Sequence, residues 1–379
     1  MVTVDPQQAW SERKAQILTA YVERFCASLS LSTPVALVDG DAGPASYGAG
    51  RWQVPGAPIV AAEHVAALAG RSGRPMRCLS VAAPDDAATL GAALAALGER
   101  ARVWPGAWGE RGAELIRDLG ASAAFVLLDT PALTPIAGGL EHLARRLPKT
   151  EVLVRYSRAA VAALLEALAD EEQARPAEQQ LSRLFGTRTW RGVADGASGQ
   201  DERDRQLRDL YAQQLTELGG GRFKWAAAYP VRTSWGAAEY DLVFATPDRA
   251  AGAAMSAVLY AVEGGRDEQP ATALLARSAG RPQQASLFEA APPSARELRE
   301  HKVAAVAADL RVIADTQPRL WSYADLFDQI LRGGWFGQIT AEHMVAACAL
   351  LQREGRLQRV SQGKQWAEKT LLRLVASSQ

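Results

Sequence analysis

The feature that most constrains the fold is the alternation of short β-rich runs with helical segments along the first part of the chain. β-rich runs occupy 35–39, 76–81, 123–129 and 151–156, and Ala-rich or amphipathic segments lie between them. Strands that alternate with helices imply crossover connections, which place helices on both faces of a parallel sheet. The pattern therefore predicts a doubly wound α/β domain.

A helix and a hairpin are predicted on either side of this alternation. The helix covers 11–31, where apolar residues recur at helical spacing. The hairpin is formed by β-rich runs at 224–229 and 240–246, which flank a turn-like segment at 233–236. A parallel half that finishes in a hairpin is the order of the Rossmann-like S-adenosylmethionine (SAM) methyltransferase fold, although other doubly wound folds also fit.

A change of composition divides the chain into two predicted domains. Residues 263–294 are rich in Gly, Pro, Gln and Ser, which indicates a flexible linker. This linker would join an α/β domain over 1–262 to a smaller domain over 295–379. One large and one smaller domain is the expected organisation for 379 residues.

The smaller domain is predicted to be a winged helix-turn-helix. Helical periodicity is found near 295–314, 322–332 and 340–354. Two β-rich runs, at 357–360 and 365–366, enclose a short polar turn and predict a wing.

Basic residues cluster after the third of these helices. From Leu351 to the end there are six Lys or Arg and two carboxylates, whereas the whole chain has 42 of each sign. A local basic edge suits contact with phosphates. The candidate nucleic-acid-binding residues are Arg353, Arg356, Arg359 and Lys364. The alternative is a solvated helix face on a protein–protein interaction module.

Several function classes are excluded or disfavoured. The cysteines Cys26, Cys78 and Cys348 have no CxxC spacing, which argues against a disulfide framework and a zinc site, so no metal is predicted. No GxSxG elbow or Walker phosphate loop indicates a hydrolase or NTPase. The first residues lack the apolar run of a signal peptide, and no window approaches the ~20 apolar residues that cross a bilayer. A cytoplasmic protein with no membrane partner is expected.

Several quoted stretches, in this order, together resemble one family. They are ALVDGDAGPASYGAG, GAPIVAAE, AFVLLD, TEVLVRY, LSRLFGTRTWR, LYAQQL, EYDLVFAT and QASLFE, followed by the winged tail. The chain resembles the three-Cys-motif partner protein (TcmP) family, a methyltransferase-like bacterial and phage family with a C-terminal winged helix. The resemblance implies SAM as cofactor and a separate three-cysteine, radical-SAM-like partner protein.

The loop after the first strand is the candidate cofactor site. A SAM pocket needs small residues there, because a bulky side chain would fill the space for the methionine and ribose. The family pattern resembles Asp-Gly-Phe-Ala-Gly-Pro-Gly, and this chain has Asp39-Gly40-Asp41-Ala42-Gly43-Pro44-Ala45. The candidate SAM-binding residues are Asp39, Gly40, Ala42, Gly43 and Pro44. Ala45 replaces a glycine and would be strained if that position needed a positive φ. A structural strand-to-helix turn without ligand is the alternative.

Asp129 is the candidate catalytic residue, because the family has a tetrapeptide resembling Asp-Pro-Phe-Gly where this chain has Asp129-Thr130-Pro131-Ala132. The carboxylate would orient an acceptor amine, but the aromatic residue is missing. Acidic residues are also missing near Ala82 and before Glu110, where SAM sites often have them. Each lost hydrogen bond to a charged group costs about 1.5–3 kcal/mol, so two would weaken binding about 100-fold. Two hypotheses follow: an active nucleic-acid methyltransferase, or a non-catalytic relative that binds nucleic acid or supports a partner.

The predicted linker contains one further motif. Gln284-Ala-Ser-Leu287-Phe288 resembles the short peptide with which bacterial proteins bind the sliding clamp of DNA replication. Leu287 and Phe288 would enter a groove while Gln284 fixes the register. The alternative is that both apolar side chains pack on this protein itself.

Overall fold

The protein is described from a computed structural model that covers residues 6–130, 133–146, 148–232, 238–262, 268, 293–361, 366 and 369–375. The chain forms two compact units, Met1–Ala254 and Met255–Gln379. The Gln284, Leu287 and Phe288 motif, Lys364 and most of the predicted linker lie outside the described residues.

The first unit is built on a seven-stranded sheet with five parallel strands and a terminal hairpin. The parallel strands are β1 (Val35–Ala42), β4 (Met76–Ala82), β5 (Ala101–Pro105), β6 (Ala123–Leu128) and β7 (Thr150–Tyr156). The hairpin strands are β8 (Trp225–Arg232) and β9 (Ala238–Thr246). The order is β5-β4-β1-β6-β7-β9-β8, with β9 antiparallel to both neighbours. The predicted α/β sheet that ends in a hairpin is thus confirmed.

Helices connect and cover these strands. They are α1 (Pro6–Ala27), α2 (Ala57–Ser72), α3 (Pro84–Leu94), α4 (Trp108–Leu119), α5 (Glu141–Ala144), α6 (Arg158–Ala167), α7 (Ala174–Phe185), α8 (Trp190–Gly196), α9 (Gln200–Glu217) and α10 (Arg249–Val262). The central strand β6 is buried along its whole length. This burial explains its unbroken apolar sequence, because a strand with neighbours on both sides and helices on both faces meets no water.

Helix α1 begins and ends earlier than the predicted 11–31. It stops at Ala27 because serine hydroxyls then bond locally: the Oγ of Ser28 donates to the carbonyl of Phe25 at 2.7 Å, and Ser30 and Thr33 pair through their hydroxyls at 2.8 Å. Such bonds compete with helix continuation.

Strand β1 extends to Ala42, beyond the end predicted at 39, so that the first residues of the predicted loop 39–45 belong to the strand. The chain then leads into a small hairpin before α2. Strands β2 (Ser46–Tyr47) and β3 (Val54–Pro55) pair antiparallel. Gly56 donates its amide to the carbonyl of Ala45 at 2.8 Å, and a side chain on Gly56 would strike the carbonyl of Pro44. In the described part of the chain no residue other than glycine has a positive φ, so the condition under which Ala45 would be strained is not met.

In its described residues the second unit contains the last part of α10, three further α-helices and a three-stranded antiparallel sheet. The helices are α11 (Ala295–Thr316), α12 (Tyr323–Ile330) and α13 (Ala341–Arg353), and the strands are β10 (Leu320–Ser322), β11 (Leu357–Arg359) and β12 (Leu371–Leu374). The sheet order is β10-β12-β11. A second wing strand was predicted at 365–366, of which Gln365 lies outside the described residues and Trp366 is not in a strand. The strand that pairs with β11 is Leu371–Leu374, where alternate residues Leu372 and Leu374 point into the core. The sequence analysis also missed β10.

No helix in the described residues has both the length and the apolar character needed to cross a bilayer.

Candidate functional site

Two of the predicted site residues meet at the carboxyl edge of the first unit's sheet. Asp39 lies near the end of β1, and Asp129 directly follows the neighbouring parallel strand β6. Because parallel strands end at the same edge, the two side chains converge there. Both are buried, with 0% and 5% of their surface exposed.

A lysine from α1 lies between these two carboxylates. The ammonium of Lys14 is 2.7 Å from Oδ1 of Asp39 and 2.9 Å from Oδ1 of Asp129. It also donates to the carbonyl of Asp41 at 2.9 Å. The indole of Trp10 donates to the other oxygen of Asp129, Oδ2, at 2.8 Å. Both oxygens of Asp129 are therefore engaged by α1.

The buried charges shift each other's protonation. Burial by itself lowers the pKa of Lys14, but attraction to Asp129 and Asp39 outweighs it and holds that pKa above its usual range. Burial raises the pKa of Asp39 to about 6, against the opposing effect of Lys14. The Oδ2 atom of Asp39 is buried and has no hydrogen-bond partner among the described residues. The lysine thus stays charged. Asp39 is the carboxylate of the pair that has one oxygen without a hydrogen bond.

Helix α1 also covers the start of α2. The amide of Ala57, the first residue of α2, donates to Oγ of Ser11 at 2.9 Å. A free helix N-terminus is a ready anion-binding site, but here a side chain of the protein satisfies it. One end of α1 thus packs against this edge through three contacts. Trp10 contacts Asp129, Ser11 contacts the start of α2, and Lys14 contacts Asp39.

A cavity of about 560 Å³ lies beside this cluster. Of the predicted cofactor residues, Ala42, Gly43 and Pro44 line it, together with the candidate catalytic Asp129. Asp39 and Gly40 are not among its described lining residues. A side chain on Gly40 would strike Leu128 and approach the ring of Trp108 to 3.1 Å, so this glycine serves strand and helix packing.

Aromatic and cationic side chains form part of the remaining wall of the cavity, which also includes Asp41 and Asp86. Trp10 and Tyr240 meet edge to face with ring centroids 5.4 Å apart, and the guanidinium of Arg155 lies 4.1 Å from the Tyr240 centroid. Both Arg155 and Tyr240 line the cavity. These side chains come from α1, β7 and β9, and the sequence analysis selected none of them.

The residues at this edge fit SAM poorly. Asp39, the acidic residue of β1, is paired with Lys14, and Gly40 packs against Leu128. Ala83 and Asp86, at the start of α3, do line the cavity. The aromatic ring of Trp108 belongs instead to the hydrophobic core and is not among the lining residues. No step of a methyl transfer is therefore derived from this arrangement.

Lys14 was missed by the sequence analysis, although the sequence contained a signal for it. It lies four residues after Trp10 and four before Leu18, on the stripe of α1 that also carries Tyr21 and Val22. A lysine within an apolar stripe has to be paired when it is buried. Its partners, however, lie on other strands and are not visible in the local pattern.

The basic residues of the second unit are not equivalent. Arg353 is exposed at the end of α13, whereas Arg356 is half-buried. Arg359 is also half-buried, and its guanidinium lies 5.3 Å from the ring centroid of Trp366. Glu354, one of the two carboxylates of this region, pairs with Arg311 at 2.7 Å.

No protein-family model matches the sequence, and no curated protein matches it. Similar solved structures include an O-methyltransferase family protein from Burkholderia thailandensis, with 9% identity and a TM-score of 0.28 over 62% of this chain and 56% of that one. The chain thus spans little more than half of that protein. A geranyl diphosphate methyltransferase solved with GPP and sinefungin has 11% identity and a TM-score of 0.26, covering 62% of this chain and 77% of that one. The geranyl diphosphate C-methyltransferase of Streptomyces coelicolor A3(2) has 11% identity and a TM-score of 0.25, covering 65% and 88%. The methyltransferase-like character of this fold rests on its strand order.

Proposed function

We propose that the protein is a non-catalytic, nucleic-acid-associated member of the methyltransferase-like fold class. The observation that carries this proposal is the position of Lys14 between Asp39 and Asp129. Asp129 would have to accept a hydrogen bond from the acceptor amine to orient it for transfer. Lys14 and Trp10 already occupy its two oxygens.

Calorimetric titration with SAM and with S-adenosylhomocysteine tests the loss of the cofactor. We expect no measurable heat for the full chain up to about 1 mM ligand, which corresponds to a binding free energy weaker than about −4 kcal/mol. Dissociation constants in the micromolar range would contradict the proposal. A thermal shift with the same two ligands provides an independent readout.

A second candidate function is an active SAM-dependent methyltransferase. The cavity of about 560 Å³ at the carboxyl edge favours it, because Gly43, Pro44 and Asp86 line a space that a small molecule could enter. The same titration separates the two candidates. Methyl transfer from labelled SAM to DNA or RNA, lost in Asp129→Asn, would establish the enzyme.

The nucleic-acid part of the proposal concerns the second unit, which we propose to be a winged helix. Its order of helix, strand, two helices and two strands supports this assignment. Between Ala341 and Leu351, helix α13 has no Arg, Lys, Asn or Gln, the residues that usually recognise base edges. Arg353 follows at the end of that helix, and the exposed Lys369 and Arg373 lie beyond it. We therefore expect phosphate contacts without sequence preference.

Salt-dependent binding of labelled DNA checks this expectation. Arg353→Ala/Arg356→Ala should reduce the slope of log K against log salt concentration by about 1.8 on duplex DNA, or 0.9 per lost contact. Arg296→Ala/Arg299→Ala, which removes two cations from α11, is the matched control. A strong preference for one sequence would contradict backbone-only contact, and unchanged binding in the first variant would remove these arginines from the interface.

Two protein partners remain proposals. The resemblance to the TcmP family supports a three-cysteine partner protein, and its absence from a co-purification with the full chain would remove that proposal. The sequence of Gln284, Leu287 and Phe288 supports binding to the sliding clamp. Purified clamp should retain the wild type and lose Leu287→Ala/Phe288→Ala. No retention of the wild type would remove the clamp proposal.

A further inference from the structure

A second cleft lies at the opposite, amino edge of the same sheet. It has a volume of about 600 Å³ and is bounded by the segment before β7, the segment before β8 and the end of β9. Its charged lining residues are Arg146, Lys149, Arg222, Lys224 and Asp248. Four cations thus face one carboxylate, in a chain whose overall charge is zero.

One of the four cations is neutralised within the protein. The ammonium of Lys149 is 3.2 Å from Asp248 and 3.2 Å from the buried Glu151. It also donates to Oγ of Ser28 at 3.0 Å. The only carboxylate that lines the cleft in the described residues is therefore already paired with a lysine.

Arg146 is held in place by neutral groups, without a counter-ion among the residues that the structure describes. Its guanidinium donates to Oγ1 of Thr150 at 2.8 Å and to the carbonyls of Ser122 and Gly120 at 2.7 and 3.1 Å. These acceptors are neutral, so they fix the group without cancelling its charge. Burial accordingly lowers the pKa of Arg146 to about 10, still well above neutrality. A fixed, half-buried and uncompensated guanidinium favours a bound anion.

Arg222 and Lys224 are both exposed, and neither side chain has a hydrogen-bond or ion-pair partner within the described ranges. They flank the buried Phe223, which anchors the segment to the core. The preceding Gly220 and Gly221 have φ of 74° and 70° and carry no side chain. A Cβ on Gly221 would lie 3.8 Å from Nζ of Lys224, so the absence of side chains keeps the space beside this ammonium open.

We propose that this cleft binds phosphate groups through Arg146, Arg222 and Lys224. Arginine forks and lysine ammonium groups are the usual protein ligands of phosphate oxygens. The phosphate could belong to a nucleic-acid backbone or to a small phosphorylated molecule, since both present the same oxygens. The site is distinct from the carboxyl-edge cavity, and all of its described lining residues belong to the first unit.

Two probes distinguish these sources: labelled mixed-sequence single-stranded DNA, followed by anisotropy, and inorganic pyrophosphate, followed by calorimetry. The test variant is Arg222→Ala/Lys224→Ala, which leaves the structural contacts of Arg146 intact. The matched control is Arg100→Ala/Arg117→Ala, which removes two exposed arginines elsewhere on the first unit. Circular dichroism establishes that all variants are folded.

If the phosphate is that of a polynucleotide, the test variant binds DNA about tenfold more weakly at low salt, and the salt slope falls by about 1.4, or 0.7 per contact on a single strand. If it belongs to a small molecule, DNA binding is unchanged and pyrophosphate binding is lost. Both results support the site, provided that the control resembles the wild type. Equal binding of both probes by wild type and test variant, or no binding of either probe to the wild type, overturns it. Arg353→Ala/Arg356→Ala, assayed in parallel, keeps this outcome separate from the proposed role of the second unit.

Discussion

The two edges of the seven-stranded sheet treat buried charge in opposite ways. At the carboxyl edge, Asp39 and Asp129 share the ammonium of Lys14. At the amino edge, Glu151 accepts a hydrogen bond from Tyr21 and pairs with Lys149. The side chains of Arg222 and Lys224 have no such partner among the described residues. Helix α1 supplies Lys14 to the first edge and Tyr21 to the second.

The difference indicates where an external ligand can be recognised. A buried ion pair contributes little net stability relative to apolar packing, but removing one partner is costly because the other charge remains unsolvated. The carboxyl edge therefore requires its own lysine, and the charges of Asp39 and Asp129 are already paired within the protein. The amino edge retains cations that no carboxylate of the described residues neutralises, so that they are available to an outside anion.

The largest expected effect is that of Lys14→Met, which removes the counter-ion of Asp39 and Asp129 at the carboxyl edge. At pH 8 we expect the free energy of opening of β1 and β6 to fall by about 3–5 kcal/mol. Hydrogen exchange of their amides in the full chain measures it. Arg24→Met, an exposed cation on the same helix, is the control and should change this free energy by less than about 0.5 kcal/mol.

The same variant should be less destabilised at pH 5. Without Lys14, burial and the neighbouring Asp129 raise the pKa of Asp39 further above its unfolded value of about 3.9. A pKa that is higher in the folded state means that folding takes up protons, so stability falls as the pH rises through this window. An equal loss at pH 5 and pH 8 would show that Lys14 acts by packing alone.

A smaller effect is expected from Tyr21→Phe at the amino edge. The hydroxyl of Tyr21 donates to Oε2 of the buried Glu151 at 2.6 Å, and hydrogen bonds to charged groups contribute about 1.5–3 kcal/mol. Tyr211→Phe is the matched comparison, because Tyr211 is equally buried but donates at 2.8 Å to a neutral carbonyl of Thr134. Its loss should be about 1 kcal/mol. If Tyr211→Phe lost more stability than Tyr21→Phe in hydrogen exchange, Glu151 would not be a charged acceptor of the Tyr21 hydrogen bond.

Gly40→Ala sharpens the comparison further, because it separates packing from ligand binding. The new methyl group would strike Leu128, so we expect a loss of about 1–3 kcal/mol in the same exchange measurement. Gly91→Ala is the control: Gly91 lies in α3 with open space around it, and alanine there should be neutral or stabilising by up to about 1 kcal/mol. If Gly40→Ala is as stable as wild type, the glycine is not needed for packing.

The sequence was sufficient for the elements that depend on local pattern. Strands β4, β6 and β7 follow from β-rich runs, and the hairpin of β8 and β9 follows from two such runs close together. The resemblance to TcmP singled out Asp39 and Asp129 as candidate site residues, and they lie at one edge because the carboxyl ends of parallel strands share it.

What could not be predicted depends on contacts distant in sequence. Lys14 meets Asp129 across 115 residues, and a pattern search assigns a lysine to solvent by default. Strand β12 at Leu371–Leu374 was missed because four residues with one charge are a weak signal without the partner strands. The amino-edge cations come from two segments, and only the fold places Arg146 beside Lys224 in one cleft.

The most direct test of the account is a double-mutant cycle between Lys14→Met and Asp129→Asn, measured at pH 8 by hydrogen exchange of β6. If the lysine is the internal counter-ion of this edge, the double variant should recover part of the loss, with a coupling energy of about 2–3 kcal/mol. Additive losses would show that the two side chains do not interact, and the claim that α1 closes the carboxyl edge would then be wrong.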